Sequence, residues 1–237
     1  MEEKTNRHVK RYFRKIYYYY QKSVNKKSIA SLHQRIRNEI EPILKGKVID
    51  IGSGGVTYYT NKNIKLLISL DNVFEFLKNC KHKNVLNLNG DIKYIPLKDN
   101  SIDFIIIQFV IHHLTENNFK KNITSVKRAI LESSRILKKG GTVYIVDSMV
   151  PSFLEKLEMW NYKIIYHFLR ILGKPMIFFF STQNFHNILK ENNLILDKII
   201  KIDWGETKEA SQALFPWLRF PLKYSPAKCI LISATKH

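Results

Sequence analysis

The chain is short of cysteine, of acidic residues and of long apolar runs, and each shortage excludes a class of protein. Only two cysteines stand in 237 residues. Cys80 and Cys229 lie far apart, with no second cysteine or paired histidine beside either. That excludes a disulfide framework and a zinc site, and it suits a reducing compartment. The longest apolar runs, Phe104 to Ile107 and Met176 to Phe180, fall far below the roughly 20 residues that span a bilayer. The opening MEEKTNRHVKRYFRK begins with charges and has no apolar stretch of the kind a secretory signal carries, so a cytoplasmic protein is expected.

The shortage of acids leaves 39 Lys and Arg against 20 Asp and Glu, a formal net charge of +19. Such an excess attracts RNA, DNA or anionic lipid alike. Lys, Asn and Ile dominate and the lysines are scattered rather than stacked, as AT-rich codons would produce. The charge alone therefore names no partner. With 45% hydrophobic residues the chain can bury a substantial core, as one domain with lid insertions rather than two.

Near the start, Val9, Tyr12, Phe13, Ile16, Tyr20 and Val24 recur in steps of three and four. This predicts an amphipathic helix with Lys10, Arg11, Arg14 and Lys15 on its other face. A second helix is expected over residues 28–44. Strands and helices then alternate. Strands are expected at Val48 to Ile51, Lys65 to Leu70, Val85 to Leu88, Phe104 to Phe109 and Thr142 to Asp147. A helix over 120–138 should precede the fifth, closed by Gly140-Gly141 in the left-handed cap conformation. A long apolar helix is expected over 152–172, ended by Gly173 and Pro175. Ser181 should cap a helix over 182–191, and Asn193 should take the left-handed conformation after it. Leu196 to Ile202 and Cys229 to Ala234 close the chain as two strands joined by a long aromatic loop. Strands separated by helices pair in parallel, so the fold class is α/β: a Rossmann-like, doubly wound, mostly parallel seven-stranded sheet with an antiparallel edge strand and an N-terminal helical lid. One domain is expected over residues 1–237. Within it 1–44 form the lid or extension, 45–150 the cofactor-binding core, and 151–237 the substrate-side insertions and last strands.

The segment VIDIGSGGV carries the chemistry. An apolar strand ends in Asp50 and a turn follows through Gly52, Gly54 and Gly55. Glycine suits such a turn because a side chain would keep a ligand off the backbone, and positive φ costs it nothing. Nicotinamide and flavin proteins share that feature. Asp71 closes the second strand in LLISLDN, where an acid can take both ribose hydroxyls. Asp91-Ile92 follow the third strand, and DNSIDFIIIQFVIHHL and LKKGGTVYIVD come later.

Together these segments resemble the class I S-adenosylmethionine (SAM)-dependent methyltransferases, in particular the small-molecule group that includes the ubiquinone and menaquinone biosynthesis enzymes. The resemblance covers about residues 45–150. It implies SAM as cofactor and S-adenosylhomocysteine as product, with no metal. It implies that Asp50, Ile51, Gly52, Ser53 and Gly54 hold the methionine end, with Gly55 beside them in the cofactor site. Asp71, with Asn72, would bind ribose. Asp91 and Ile92 would flank the adenine, and Gln108 would sit near the methionine. One departure is that Val56 stands where the family's third glycine is usual, with Gly55 one place earlier. A dinucleotide enzyme wants that third glycine for tight helix packing, so the departure favours SAM.

The sulfonium methyl is already activated, so the protein mainly aligns the acceptor and excludes water. A hydroxyl or acidic-carbon acceptor also loses a proton. His112, His113 and Asp147, at the carboxyl edge of the fourth and fifth strands, are the candidate catalytic residues. Either histidine could instead pack or hold a loop. His167 and His186 read as packing or surface residues. The run Tyr17 to Tyr20 would close the site as a lid or pack on the core.

The primary expectation is O-, N- or C-methylation of a small, apolar or aromatic acceptor. It rests on the aromatic supply of Tyr17 to Tyr20, Trp160, Tyr162, Phe178 to Phe180, Phe215, Trp217 and Phe220. An RNA-modifying enzyme is the alternative suggested by charge. Against it, the fourth strand ends QFVIHH, without the Asn/Asp-Pro-Pro-aromatic signature of base-amine methylation or a Pro-Cys nucleophile. A lipid or quinone methyltransferase touching the membrane through its basic, aromatic N-terminal helix is a second alternative. A SAM-binding sensor without activity is a third.

Overall fold

The computed structural model describes residues 8–15, 27–55, 59–78, 85–205 and 224–237. Tyr17 to Tyr20, Val56, Cys80, Phe215, Trp217 and Phe220 lie outside them, so the expectations attached to those residues are not addressed by the structure.

Residues 8–15 are helical (α1), and Lys27–Ile40 form α2. A 3₁₀ turn, Glu41–Ile43, follows α2 where the sequence suggested one helix to residue 44. Pro42 explains the change, since it has no N–H with which to continue an α-helical ladder. The strands are β1 (Gly46–Ile51), β2 (Ile64–Asp71), β3 (Val85–Asn89), β4 (Ile102–Gln108), β5 (Leu137–Met149), β6 (Leu194–Ile202) and β7 (Lys228–Lys236). Between them lie α3 (Phe74–Leu77), α4 (Phe119–Ile136), α5 (Ser152–Ile171) and α6 (Thr182–Glu191).

All seven strands form one sheet, in the order β3-β2-β1-β4-β5-β7-β6. The first five pair in parallel. β7 runs antiparallel to both β5 and β6 and lies between them. The antiparallel part expected at this end of the sheet is therefore a reversed strand inserted one place from the edge.

Alternation along the strands divides the core. Ile49, Ile51, Ile105 and Ile107 face one layer, with Val126, Ala129 and Ile130 of α4 and Phe185 of α6. Val48, Phe104 and Ile106 face the other, with Leu32, Ile36 and Ile40 of α2. Side chains of a strand alternate between faces, so a continuous apolar run buries both sides of a parallel sheet.

Several local expectations hold. Ser181 Oγ accepts the Asn184 N–H at 3.3 Å and caps α6. Asn193 (φ 58°) and Gly173 (φ 69°) take the left-handed conformation. Two do not hold. β4 ends at Gln108, and Phe109 turns away with φ 54°. Gly140-Gly141 do not cap α4: the helix stops at Ile136, and Leu137 is already extended and paired with Ile102. The next partners are Phe104 and Thr142, so 138–141 bulge out of β5. The bulge is what needs glycine. Gly140 has φ 72°, and a Cβ on Gly141 would come within 2.9 Å of the Asp103 carbonyl oxygen.

Candidate active site

The strand order reverses between β1 and β4, and in an open α/β sheet a crevice forms there at the carboxyl ends of the strands. A cavity of about 430 Å³ occupies that place. The chain reaches it repeatedly: the loop after β1, the ends of β2 and β4, the turn after β3, and a 3₁₀ turn after β4 (Ile111–His113).

The loop after β1 is tightly bound. Gly52 N–H donates to the Leu70 carbonyl at 2.7 Å, and its φ is 69°. A Cβ there would meet Val110 Cγ2 at 2.3 Å, so glycine is required on both counts. Ser53 and Ser69 hydroxyls lie 2.6 Å apart. The Asp71 carboxylate accepts the Gly54 N–H at 3.0 Å and the Val73 N–H at 2.8 Å. Asn89 Nδ2 donates to the Asp71 carbonyl at 2.9 Å, so β3 fixes its backbone as well. Asp91 Oδ1 accepts the Lys93 N–H at 2.9 Å and shapes the turn that carries Ile92.

Electrostatically the crevice holds two neighbouring acids out of water. Burial pushes the Asp50 carboxyl well above the usual carboxylate range, and the nearby Asp71 charge adds to the effect. Burial raises Asp71 too, and outweighs the backbone N–H groups of Val73, Gly54 and Asn72 that favour its ionised form. A buried acid pays for its charge in lost hydration.

The histidine wall is different. His112 Nδ1 lies 2.5 Å from Asp147 Oδ1, and its backbone N–H reaches Oδ2 at 3.3 Å. Asp147 is 1% exposed, behind the ring. His113 packs edge-on against Phe13, with ring centroids 4.8 Å apart. Burial, and then the neighbouring His112, hold His113 well below the ordinary histidine range. Its Nδ1 is buried without a hydrogen-bond partner among the described residues. Phe179 packs beside His112, and the Phe178 N–H donates to the His112 carbonyl at 3.0 Å.

Of the residues singled out in the sequence, Asp50 to Gly54, Asp71, Asn72, Asp91, Ile92, Gln108, His112 and His113 line this one cavity. Gly55 and Asp147 do not. Gly55 packs toward α3, where a Cβ would meet the Phe76 carbonyl oxygen at 1.9 Å, and Asp147 stands behind His112. The aromatic supply is mostly elsewhere. Phe179 lines the cavity, Tyr162, Phe178 and Phe180 are core residues, and Trp160 faces outward.

Sequence reasoning missed several lining groups. Gln108 Nε2 donates to the Tyr59 hydroxyl, and Tyr59 and His33 close the cavity beside it. Lys93 and Glu116 form a buried ion pair at 3.6 Å, and Ser125 Oγ donates to Glu116 at 2.9 Å. Nothing in the spacing of these residues announces them, because only the tertiary fold brings them to the sheet edge. Tyr12 and Phe13 did stand out, as part of an apolar stripe, and α1 turns them to the cavity.

Comparison with known proteins agrees with this geometry. The family model described as a methyltransferase domain matches residues 49–145. The ubiquinone/menaquinone biosynthesis C-methyltransferase of Wigglesworthia glossinidia brevipalpis is 25% identical, over 67% of this chain and 70% of that protein. Among solved structures, a complex of the Haloferax volcanii Trm112 methyltransferase activator with a methyltransferase contains a similar chain: TM-score 0.63, 18% identity, 87% of this chain and 90% of that one. Geranyl diphosphate methyltransferase in complex with SAM has a TM-score of 0.62 at 12% identity, over 89% of each chain. The sheet order, the crevice at its carboxyl edge and these likenesses support a class I SAM-dependent methyltransferase, with the family match lying over residues 49–145.

Proposed function

We propose that the chain methylates a small, apolar or aromatic acceptor bound against the histidine wall, with His112 as the proton acceptor. The observation that carries this reading is His112, backed by Asp147, on the wall of a cavity otherwise lined largely by apolar groups. Asp147 accepts the Nδ1 proton and so fixes the tautomer, leaving the Nε2 lone pair to take a proton.

The residues present fit SAM. The ligand carries a sulfonium and an ammonium, and two buried carboxylates, Asp50 and Asp71, are relieved by positive charge. Asp71 keeps acceptor capacity beyond its backbone bonds, since an ionised carboxylate offers about four lone-pair sites, and it takes the ribose hydroxyls. Asp91 and Ile92 hold the adenine. The loop Asp50 to Gly54, with Gln108, holds the methionine end. Bound SAM supplies an activated methyl group and leaves as S-adenosylhomocysteine. The chain's own contribution is to align the acceptor, exclude water with Tyr12, Phe13 and Phe179, and receive the acceptor's proton at His112 Nε2.

The relatives named for ubiquinone/menaquinone C-methylation support an electron-rich ring as acceptor, whose ring carbon or hydroxyl gives up that proton. The test is calorimetric titration with SAM and S-adenosylhomocysteine. The parent binds, and Asp71→Ala weakens both at least tenfold while remaining folded. A folded parent that binds neither ligand overturns the assignment.

A further inference from the structure

α5 buries one face and leaves another bare. Glu155, Tyr162 and Tyr166 turn inward, and α5 packs on α4 and α6. On the other side Phe153, Leu157, Trp160, Ile164, Phe168 and Ile171 are exposed. Trp160 is 83% exposed, Ile171 84%, Ile164 71% and Phe153 68%. At 3.6 residues per turn the six fall within a sector of roughly 80°. Lys156, Lys163 and Arg170 repeat at every seventh position and run along one flank of that sector, all exposed. Single exposed apolar side chains are ordinary, but a continuous stripe along a 20-residue helix marks a contact surface.

We propose that α5 is the element by which the protein lies on the surface of an anionic phospholipid membrane. A helix with a wide apolar face and Lys and Arg beside it seats in the interface between headgroups and acyl chains. Tryptophan favours that depth. The basic row matches anionic headgroups, and the net charge of +19 adds a general attraction. The same charge opposes the other obvious occupant, a second copy of this chain, whose basic row would face its equivalent. The helix does not cross the membrane, since none of the described helices is long and apolar enough to do so. Nor does α1 offer the better contact, because Val9, Tyr12 and Phe13 are committed to the cavity.

Position adds a second reason. The last turn of α5 and the chain after it reach the cavity wall through Leu169, Lys174, Pro175 and Ile177. The helix that carries the stripe on its outer side thus also contributes to the cavity wall through its inner side. The docking itself stands whatever the acceptor proves to be.

The experiment is sedimentation of the full chain with phosphatidylcholine vesicles, with and without phosphatidylglycerol. The parent is expected to pellet only with the anionic vesicles, and the emission of Trp160 to shift to the blue. Trp160→Ser/Ile164→Ser and Lys156→Glu/Lys163→Glu/Arg170→Glu change exposed groups only. Each should melt with the parent and keep its SAM titration. The first should lose at least tenfold in vesicle binding. The second should lose about a hundredfold, since each basic residue at an anionic surface is worth about fivefold. Trp160→Phe should keep the binding and lose the spectral shift. No binding to anionic vesicles, or binding that both multiple variants retain, overturns the proposal. So does a dimer in sedimentation velocity that Trp160→Ser/Ile164→Ser dissolves, because the stripe would then be a self-interface.

Discussion

His112 and His113 share a turn, yet their surroundings make them different groups. His112 has a buried carboxylate against Nδ1, while His113 is packed edge-on to Phe13 with an unpartnered Nδ1. His112→Ala should leave SAM affinity unchanged and cut turnover at least about a hundredfold, within the usual range for a positioned base. Asp147→Asn should reproduce most of that loss, because the tautomer is no longer fixed. Turnover within threefold or so of the parent for His112→Ala would remove the base from the proposal. Asp50 supports a different test. Its folded-state pKa is raised, so its contribution to stability is fully present below the unfolded value and is lost as pH rises through the folded one. At neutral pH the ligand-free protein carries that cost. Asp50→Asn should therefore melt higher than the parent without ligand, by about 2–4 °C for each kcal/mol relieved. It should also bind SAM more weakly. Scanning calorimetry with and without SAM separates the two effects.

At the scale of elements, α5 is anchored by groups whose charge state matters. Burial raises the Glu158 carboxyl to about 7, and Oε2 accepts the Phe179 N–H at 3.4 Å. Stability from the neutral form is fully present below the unfolded value near 4.5 and is lost as pH rises through about 7. Glu158→Gln should remove that dependence: it should match the parent at pH about 4 and melt higher at pH about 8. Thermal melts across pH show whether the two curves diverge. Elements also show what a sequence can and cannot tell. Ser181, Gly173 and Asn193 announced their places because capping is a contact between residues a few positions apart. Gly140-Gly141 misled because their reason is a bulge opposite Ile102 and Phe104, strand partners more than thirty residues away. The site divides in the same way. Asp50, Asp71 and Asp91 were legible because strand ends of an α/β sheet converge by topology, and Gln108 only through the family resemblance. Tyr59, His33 and the Lys93–Glu116 pair were not, because no local rule aims them at the cavity.

For the molecule as a whole, α1 is joined to the crevice by contacts that a truncation would remove. Phe13 meets His113, Arg14 Nε lies 2.7 Å from Glu75, and Val9 and Tyr12 line the cavity. Deleting residues 1–25 should raise the SAM dissociation constant several-fold in titration while the core melts cooperatively. Unchanged affinity would mean that α1 serves only the acceptor side.

The insertion of β7 between β5 and β6 has a consequence for synthesis. Residues leave the ribosome in order, so β5 and β6 exist for a time without the strand that separates them. Until residues 228–236 emerge, both present unpaired backbone edges, and strands with free edges invite pairing with neighbouring chains. A chain truncated before Lys228 would thus lack an interior strand of its sheet, open at two edges and fit for aggregation or degradation rather than for partial activity.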